Sequence, residues 1–313
     1  IIKKIEGIMK NTQVIQLMSI VRLSIFMLGI TMMSCNSKKE QQLPAIGKSV
    51  ALFDYFSYKG NDDFYISNPL SDEDYFYNPI LPGWYSDPSV CTNGEGDYFL
   101  VTSTFTYFPG VPIFHSKDLV NWKQIGHVLN RASQLVNMEG QKVSGGIFAP
   151  AISYNPYNKT YYMVTINVGA GNFFVKTQDP FGEWSEPVML PEVGGIDPSF
   201  FFDEDGKAYI VNNDEAPDNK PEYSGHRTIR IQEFDVKTDK TIGPRKILVN
   251  KGAQPADKPI WIEGPHLYKI NGKYFLMSAE GGTGNWHSEV IFCGDSPMGK
   301  FLPWKNNPIL TQR

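Results

Sequence analysis

Between residues 86 and 277 the apolar positions fall in short runs separated by turn-forming residues. Four stretches share one pattern: "SDPSVCTNGEGDYFLV" (86–101), "FAPAISYNPYNKTYYMV" (148–164), "IDPSFFFDEDGKAYIV" (196–211) and "EGPHLYKINGKYFLM" (263–277). Each has a proline, a run rich in apolar residues, a turn of Asn, Asp or Gly, and a tyrosine that opens a second apolar run. This is a β-hairpin signature, and Asn271-Gly272 carries its strongest short-range form. In the third copy Asp203, Glu204 and Asp205 run into Gly206 and read as a solvated turn.

A second feature follows the hairpins. "SKDLVNWKQI" holds Trp122, "TQDPFGEWSEP" holds Trp184 and "DSPMGKFLPWKNNP" holds Trp304, spaced 62 and then 120 residues apart. The third copy, "DVKTDKTIGPRKIL", lacks the Trp but keeps a charged turn. A repeating unit of this length with four strands is a propeller blade. The fold class is therefore all-β, a β-propeller with about four blades in this chain. A β-sandwich with accidental similarity is the alternative. The copies stop at residue 313 right after a Trp turn, so the propeller reads as cut at its C-terminal end.

The first strand of a blade lines the central channel. The residue ahead of it is Asp87 in the first copy, Ala149 in the second, Asp197 in the third and Glu263 in the fourth. Three carboxylates from distant parts of the sequence should therefore meet on one face. Carboxylates brought together in apolar surroundings have raised pKa values, the layout for acid–base work on a glycosidic bond. Clustered carboxylates also suit Ca2+, and an Asp before Pro also caps turns. The tryptophans form two sets. Trp122, Trp184 and Trp304 follow the repeat and read as blade packing. Trp84, Trp261 and Trp286 break it, lie near the acids, and suit a platform for a sugar ring, with packing as the alternative.

The N-terminus adds a destination. The first residue is not Met, so "IIKKIEGI" reads as upstream translation, with Met9 as the start. From there Lys10 and Arg22 supply positive charge, and Leu23 to Met33 is apolar but too short to span a bilayer. Ser34 precedes Cys35, and polar "NSKKEQQ" follows. This resembles a bacterial lipoprotein signal with Cys35 lipidated after cleavage; a plain secretory signal is the alternative. The expected organisation is an export signal over 1–35, a tether and lead-in over 36–67, and a catalytic propeller over 68–313. The product would be exported, periplasmic or cell-surface, touching the membrane only through its lipid anchor. Cys91 and Cys293 sit in apolar runs and read as buried free thiols, although an exported protein also permits a disulfide. Three cysteines without CxxC or HxxxH spacing give no structural zinc site. A net charge of -4 without a basic cluster excludes a nucleic-acid partner.

"GWYSDPSV", "FPGVPIFHSKDLVNW", "GGIFAP", "GGIDPSFFFDEDGKAY" and "EGPHLYKINGKYFLMSAEGGTG", in this order, resemble glycoside hydrolase family 43, and its β-xylosidase-like branch in particular. The resemblance covers residues 78 to 313. It implies a five-bladed β-propeller acting as a β-xylosidase or, next, an α-L-arabinofuranosidase on xylan- or arabinoxylan-derived oligosaccharides, with inversion at the anomeric carbon. Asp87 then matches the general base, Glu263 the general acid, and Asp197 the third acid that raises the pKa of Glu263 and orients it. Phe148, Trp84, Phe108, Trp286 and His287 become the candidate substrate-binding residues. The family usually has Trp where Phe148 stands, so Phe148 offers a sugar a smaller face. No cofactor is required. The fifth blade of the family supplies an arginine, a histidine and the neighbourhood of a structural Ca2+, none of which falls within these 313 residues. Two other readings remain at this point. One is a retaining invertase-type propeller, whose Asn-Asp-Pro-Asn-Gly motif "YSDPSV" lacks. The other is a non-catalytic glycan-binding lipoprotein or inactive fragment.

Overall fold

The computed structural model describes residues 63–71 and 74–311. The signal segment with Cys35, and all but the end of the tether, lie outside the described residues. The chain divides into two compact units, Ile1–Pro69 and Leu70–Arg313. In the first, the described residues form a short helix, α1 (Asp63–Ser67), closed by Asn68, whose amide N–H and side-chain Nδ2 both donate to the Phe64 carbonyl at 2.9 Å.

The second unit carries four antiparallel sheets, each built from consecutive strands. Blade one holds β1 (Ser89–Thr92), β2 (Tyr98–Val101), β3 (Gly110–Ser116) and β4 (Lys123–Leu129). Blade two holds β5 (Ile147–Asn155), β6 (Thr160–Asn167), β7 (Gly171–Thr177) and β8 (Val188–Met189). Blade three holds β9 (Ile196–Phe202), β10 (Ala208–Glu215), β11 (Arg227–Asp235) and β12 (Lys240–Asn250). Blade four holds β13 (Glu263–Ile270), β14 (Lys273–Glu280), β15 (Ser288–Gly294) and β16 (Phe301–Pro303), with β17 (Leu310–Thr311) also pairing to β15. The β13–β14 turn is the Asn271-Gly272 pair, with φ of 51° and 75°, the double left-handed geometry of a type I′ hairpin.

Strands of blades two and three are apolar on both faces because each of these blades packs against a neighbour on either side. In β6, Tyr161 and Met163 join a core shared with blade one, whereas Tyr162 and Val164 join one shared with blade three. In β9, Phe200 faces blade two and Phe201 faces blade four. The first strands stand side by side, β1 against β5, β5 against β9 and β9 against β13. They line one inner surface, as the repeat requires.

Three expectations need correction. Asp203 is not solvated: it is 2% exposed, accepts the Tyr274 hydroxyl at 2.6 Å and pairs with Lys269 at 3.0 Å. The turn faces the next blade, so its first acid joins blade three to blade four. The repeating tryptophans do not share one role. Trp184 is buried in the core between blades one and two, drawn in by Arg131 and Gln134, which donate to the carbonyls of Trp184 and Ser185. Trp122 is half-buried, and Trp304 is 49% exposed because Phe301 takes the core position ahead of it. Cys91 and Cys293 are both free and half-buried rather than fully enclosed.

Candidate active site

Each blade opens on an Xaa-Pro dipeptide whose first residue has left-handed φ: Asp87 at 54°, Ala149 at 38°, Asp197 at 54° and Gly264 at 55°. That conformation costs an L-residue about 1 kcal/mol, least for Asp and Asn, whose short polar side chains bond locally. A one-residue bulge accompanies it in blades two to four, where Phe148 pairs Ile166, Ile196 pairs Asn213 and Glu263 pairs Ala279 just before the register shifts. A left-handed residue on a bulge re-aims its side chain out of the ladder. In blades one and three that side chain is a carboxylate.

Glu263 is not in register with these two acids. The matching residue of blade four is Gly264, and Glu263 sits one place earlier, equivalent to Phe148 and Ile196. The offset has a partner: the Gly264 N–H donates to Asp197 Oδ2 at 3.0 Å. Blade four thus gives its bulge backbone to the neighbouring acid and presents its own acid from the preceding position. A matching link joins blades one and two. Ser103 Oγ donates to Asp87 Oδ2 at 2.5 Å and accepts the Ala149 N–H at 2.7 Å.

The three carboxylates act on one another. Asp197 is 8% exposed, and burial followed by the charge of Asp87 pushes its carboxyl up to about 7, against the pull of the Gly264 N–H. Glu263 is half-buried, and burial, then Asp197, then Asp87 push it up to about 8, with Arg227 pulling the other way. Asp87 is exposed at the rim, its orientation fixed by Ser103. The arrangement holds a protonated carboxyl on Glu263 at neutral pH beside an accessible carboxyl on Asp87.

The aromatic candidates divide by position. Trp84 (67% exposed) stacks on Phe105 at 5.3 Å between ring centres, and Phe105 meets Phe148 edge-on at 5.6 Å. Phe148 precedes Ala149, so this ladder lies directly against the Ser103–Asp87 link. Phe108 is exposed near it in sequence. Trp286 (69% exposed) lines a hollow of about 530 Å3 with Ile260, Glu280 and Asp257. His287 lines a different hollow beside Glu289 and Leu310, with its Nδ1 against the Gly282 carbonyl. None of the three acids lines either hollow. Trp261 is covered by the Arg227 guanidinium, 4.1 Å from its ring centre.

Among the described residues no group of three or more His, Cys, Asp and Glu side chains is set to hold a metal ion. Sequence reading missed Ser103, Gly264 and Arg227 as parts of the site. A signal existed for Ser103: "VTS" (101–103), at the end of β2, occupies the place in its hairpin that "VNN" (211–213) occupies within β10, and Asn213 likewise bonds to the next blade, donating to the Ile262 carbonyl at 2.6 Å.

Known proteins repeat this architecture and sequence. The chain is 47% identical to a xylosidase/arabinosidase of Butyrivibrio fibrisolvens, over 75% of this chain and 44% of that protein. It is 41% identical to a non-reducing end alpha-L-arabinofuranosidase of Bacteroides ovatus, over 75% of this chain and 42% of the relative. Among solved structures, one described as a GH43_12 retrieved from a capybara gut metagenome superposes with a TM-score of 0.76 at 56% identity, covering 81% of this chain and 47% of that one. The xylan beta-1,4-xylosidase of Bacillus halodurans gives a TM-score of 0.67 at 37% identity, over 75% of this chain and 44% of that one. The chain thus spans a little under half the length of these relatives. The model of glycosyl hydrolases family 43 matches residues 76–313, and this chain belongs to that family.

Proposed function

We propose that this protein is an inverting glycoside hydrolase that removes terminal pentoses, β-xylose first and α-L-arabinofuranose next, from xylan-type oligosaccharides. One observation carries the reading: Glu263 and Asp87 share one neighbourhood but have opposite surroundings. Burial and two neighbouring carboxylates keep the Glu263 proton in place up to about pH 8, so Glu263 can protonate the departing glycosidic oxygen. Asp87 is exposed and held by Ser103, so it can take a proton from a water attacking the opposite face of the sugar. Inversion needs this division of labour, with room for the water between base and sugar. Asp197 stays by Glu263 through the Gly264 N–H and keeps the acid protonated by its proximity. The Trp84–Phe105–Phe148 ladder offers apolar faces for a sugar ring beside Asp87. Relatives bearing xylosidase and arabinofuranosidase names support the pentose class.

We also propose export as a lipoprotein through Cys35, supported by the charged, apolar and small-residue sequence of 9–35. The activity test is hydrolysis of p-nitrophenyl β-D-xyloside, p-nitrophenyl α-L-arabinofuranoside and xylobiose, by this chain and by a form extended to the length of its relatives. Cleavage of a pentoside by either form supports the reading. No cleavage by either form removes it and leaves a glycan-binding protein, which equilibrium binding of xylo-oligosaccharides would then show.

A further inference from the structure

Arg227 of blade three acts on the acid of blade four, and the scheme above gives it no task. Arg227 opens β11 and is the cross-strand partner of Glu215, the last residue of β10. Its Nη1 is in close ion-pair contact with Glu215 Oε1. Its guanidinium lies over the Trp261 ring at 4.1 Å. Trp261 is two residues before Glu263, and its N–H donates to the Gly225 carbonyl at 2.8 Å, so the segment bearing the acid is tied to the segment bearing Arg227. The Arg227 carbonyl in turn accepts the Lys251 N–H at 3.0 Å. The Arg227 side chain is 18% exposed and that of Glu215 is 52% exposed. The cation is therefore shielded, whereas its counter-ion is open to solvent.

We infer that Arg227 is a positioning residue for the general acid: stacked on Trp261 and held by Glu215, it keeps one positive charge beside the Glu263 carboxyl and sets how readily that group gives up its proton. The inference rests on Glu263 being the general acid. The charge has a clear purpose. Burial, Asp197 and Asp87 all push the Glu263 carboxyl up, and Arg227 pulls it down. An acid that holds its proton too tightly is a poor donor to a leaving oxygen, because efficiency follows Brønsted behaviour. The charged groups that act on Glu263 are Asp87 on blade one and Asp197 and Arg227 on blade three, with Glu215 acting through Arg227. Glu280 is engaged by the Ala253 N–H at 2.8 Å. The nearby Lys251 is taken by Glu222 at 2.7 Å, and His226 lies against Asn250 at 2.7 Å. Among the described residues Arg227 is the cation found to act on Glu263.

The test is the pH profile of kcat/KM in the extended form, for wild type, Arg227→Met, Arg227→Lys and Glu215→Gln. Each is measured on whichever p-nitrophenyl pentoside the wild type cleaves, and on xylobiose. Arg227→Met removes the charge and keeps the stem over Trp261. It moves the basic limb up by about half a pH unit or more, and it slows xylobiose more than the aryl glycoside, whose leaving group needs little protonation. Arg227→Lys restores the limb. Glu215→Gln leaves Arg227 unneutralised and moves the limb down. A merely structural role would lower stability without moving the limb in opposite directions. Should Arg227→Met fail to fold, the Lys and Glu215→Gln variants still decide. Titration of a 13C-labelled Glu263 carboxyl in the same proteins reads the shift without turnover. An inactive wild type therefore defeats the functional reading alone, whereas an unmoved Glu263 titration overturns the inference. A limb or titration that moves the same way in Arg227→Met and Glu215→Gln overturns it too.

Discussion

Replacing Asp197 by Asn should stabilise the protein, and only above the pH at which the unfolded carboxyl ionises. Asp197 is 8% exposed and its carboxyl is pushed up to about 7, first by burial and then by the charge of Asp87. A carboxyl raised this far above its ordinary value costs about 4 kcal/mol when ionised in the folded state. The sign follows from the direction. Below about pH 4 the carboxyl is protonated in both states and the folded protein bears no penalty. As pH rises to about 7 the unfolded chain releases the proton and the folded one holds it, so stability falls. Above that value the penalty is constant. Asn has no charge to release, it tolerates the left-handed φ of 54°, and its Oδ1 can still accept the Gly264 N–H. The variant should therefore match wild type at pH 4 and exceed it by about 2–4 kcal/mol at pH 8.5, the lower figure allowing for an imperfect amide fit. Urea unfolding of both proteins at the two pH values measures the difference. A difference that does not grow with pH, or a variant less stable at pH 8.5, would refute the assignment of a buried, raised carboxyl at this position. The same variant should lose activity, since a neutral amide no longer raises the Glu263 carboxyl; the site holds a destabilising charge that the fold alone does not need.

Three further outcomes follow from the same geometry. Asp87→Asn and Glu263→Gln should each lower kcat on xylobiose by about 10³-fold or more without unfolding the chain, and wild-type activity should fall above about pH 8 as Glu263 loses its proton; steady-state kinetics across pH checks both, and near-normal turnover in either variant would contradict the roles. Ser103→Ala should lower kcat about tenfold with little change in KM, because Asp87 loses the hydroxyl that fixes it at 2.5 Å; a change confined to KM would argue against that positioning. Asp203→Ala should destabilise the chain by about 3 kcal/mol, since Lys269 and the Tyr274 hydroxyl lose their partner between blades; a loss under about 1 kcal/mol in urea unfolding at pH 7 would place that bridge at the surface.

Much of this was readable in the sequence because the fold is a repeat. Proline, apolar run, turn and tyrosine recur in phase, so four hairpins were readable without any one of them being decisive. Asn271-Gly272 formed the turn its sequence demands. The same repeat aimed Asp87 and Asp197 at one inner surface, where the structure has them. The offset of Glu263 was written there too, since Asp87 and Asp197 stand directly before their prolines whereas Gly264 separates Glu263 from Pro265, but grouping the three acids by neighbourhood passed over it. The left-handed backbone at Gly264 identifies Gly264, and not Glu263, as the residue in register. Asp203 was misread because a turn is hydrated by default, and nothing local reports that Lys269 and Tyr274 of the next blade close over it. The tryptophan spacing marked the period correctly, yet Trp184 is buried and Trp304 exposed, because in blade four Phe301 takes the core position, which spacing alone does not report. Arg227 was silent for the same reason, since its stacking on Trp261 spans two blades.

The central claim is that Asp87 and Glu263 act on opposite faces of one sugar, as base and acid, in a single displacement. Proton NMR during the first minutes of hydrolysis of a β-D-xyloside tests it most directly, by reading which xylose anomer forms before mutarotation. The account predicts α-xylose first, with the β anomer growing in afterwards. β-Xylose first would show a covalent intermediate and a nucleophilic carboxylate, and would contradict the assignment of Asp87 as a base acting through water.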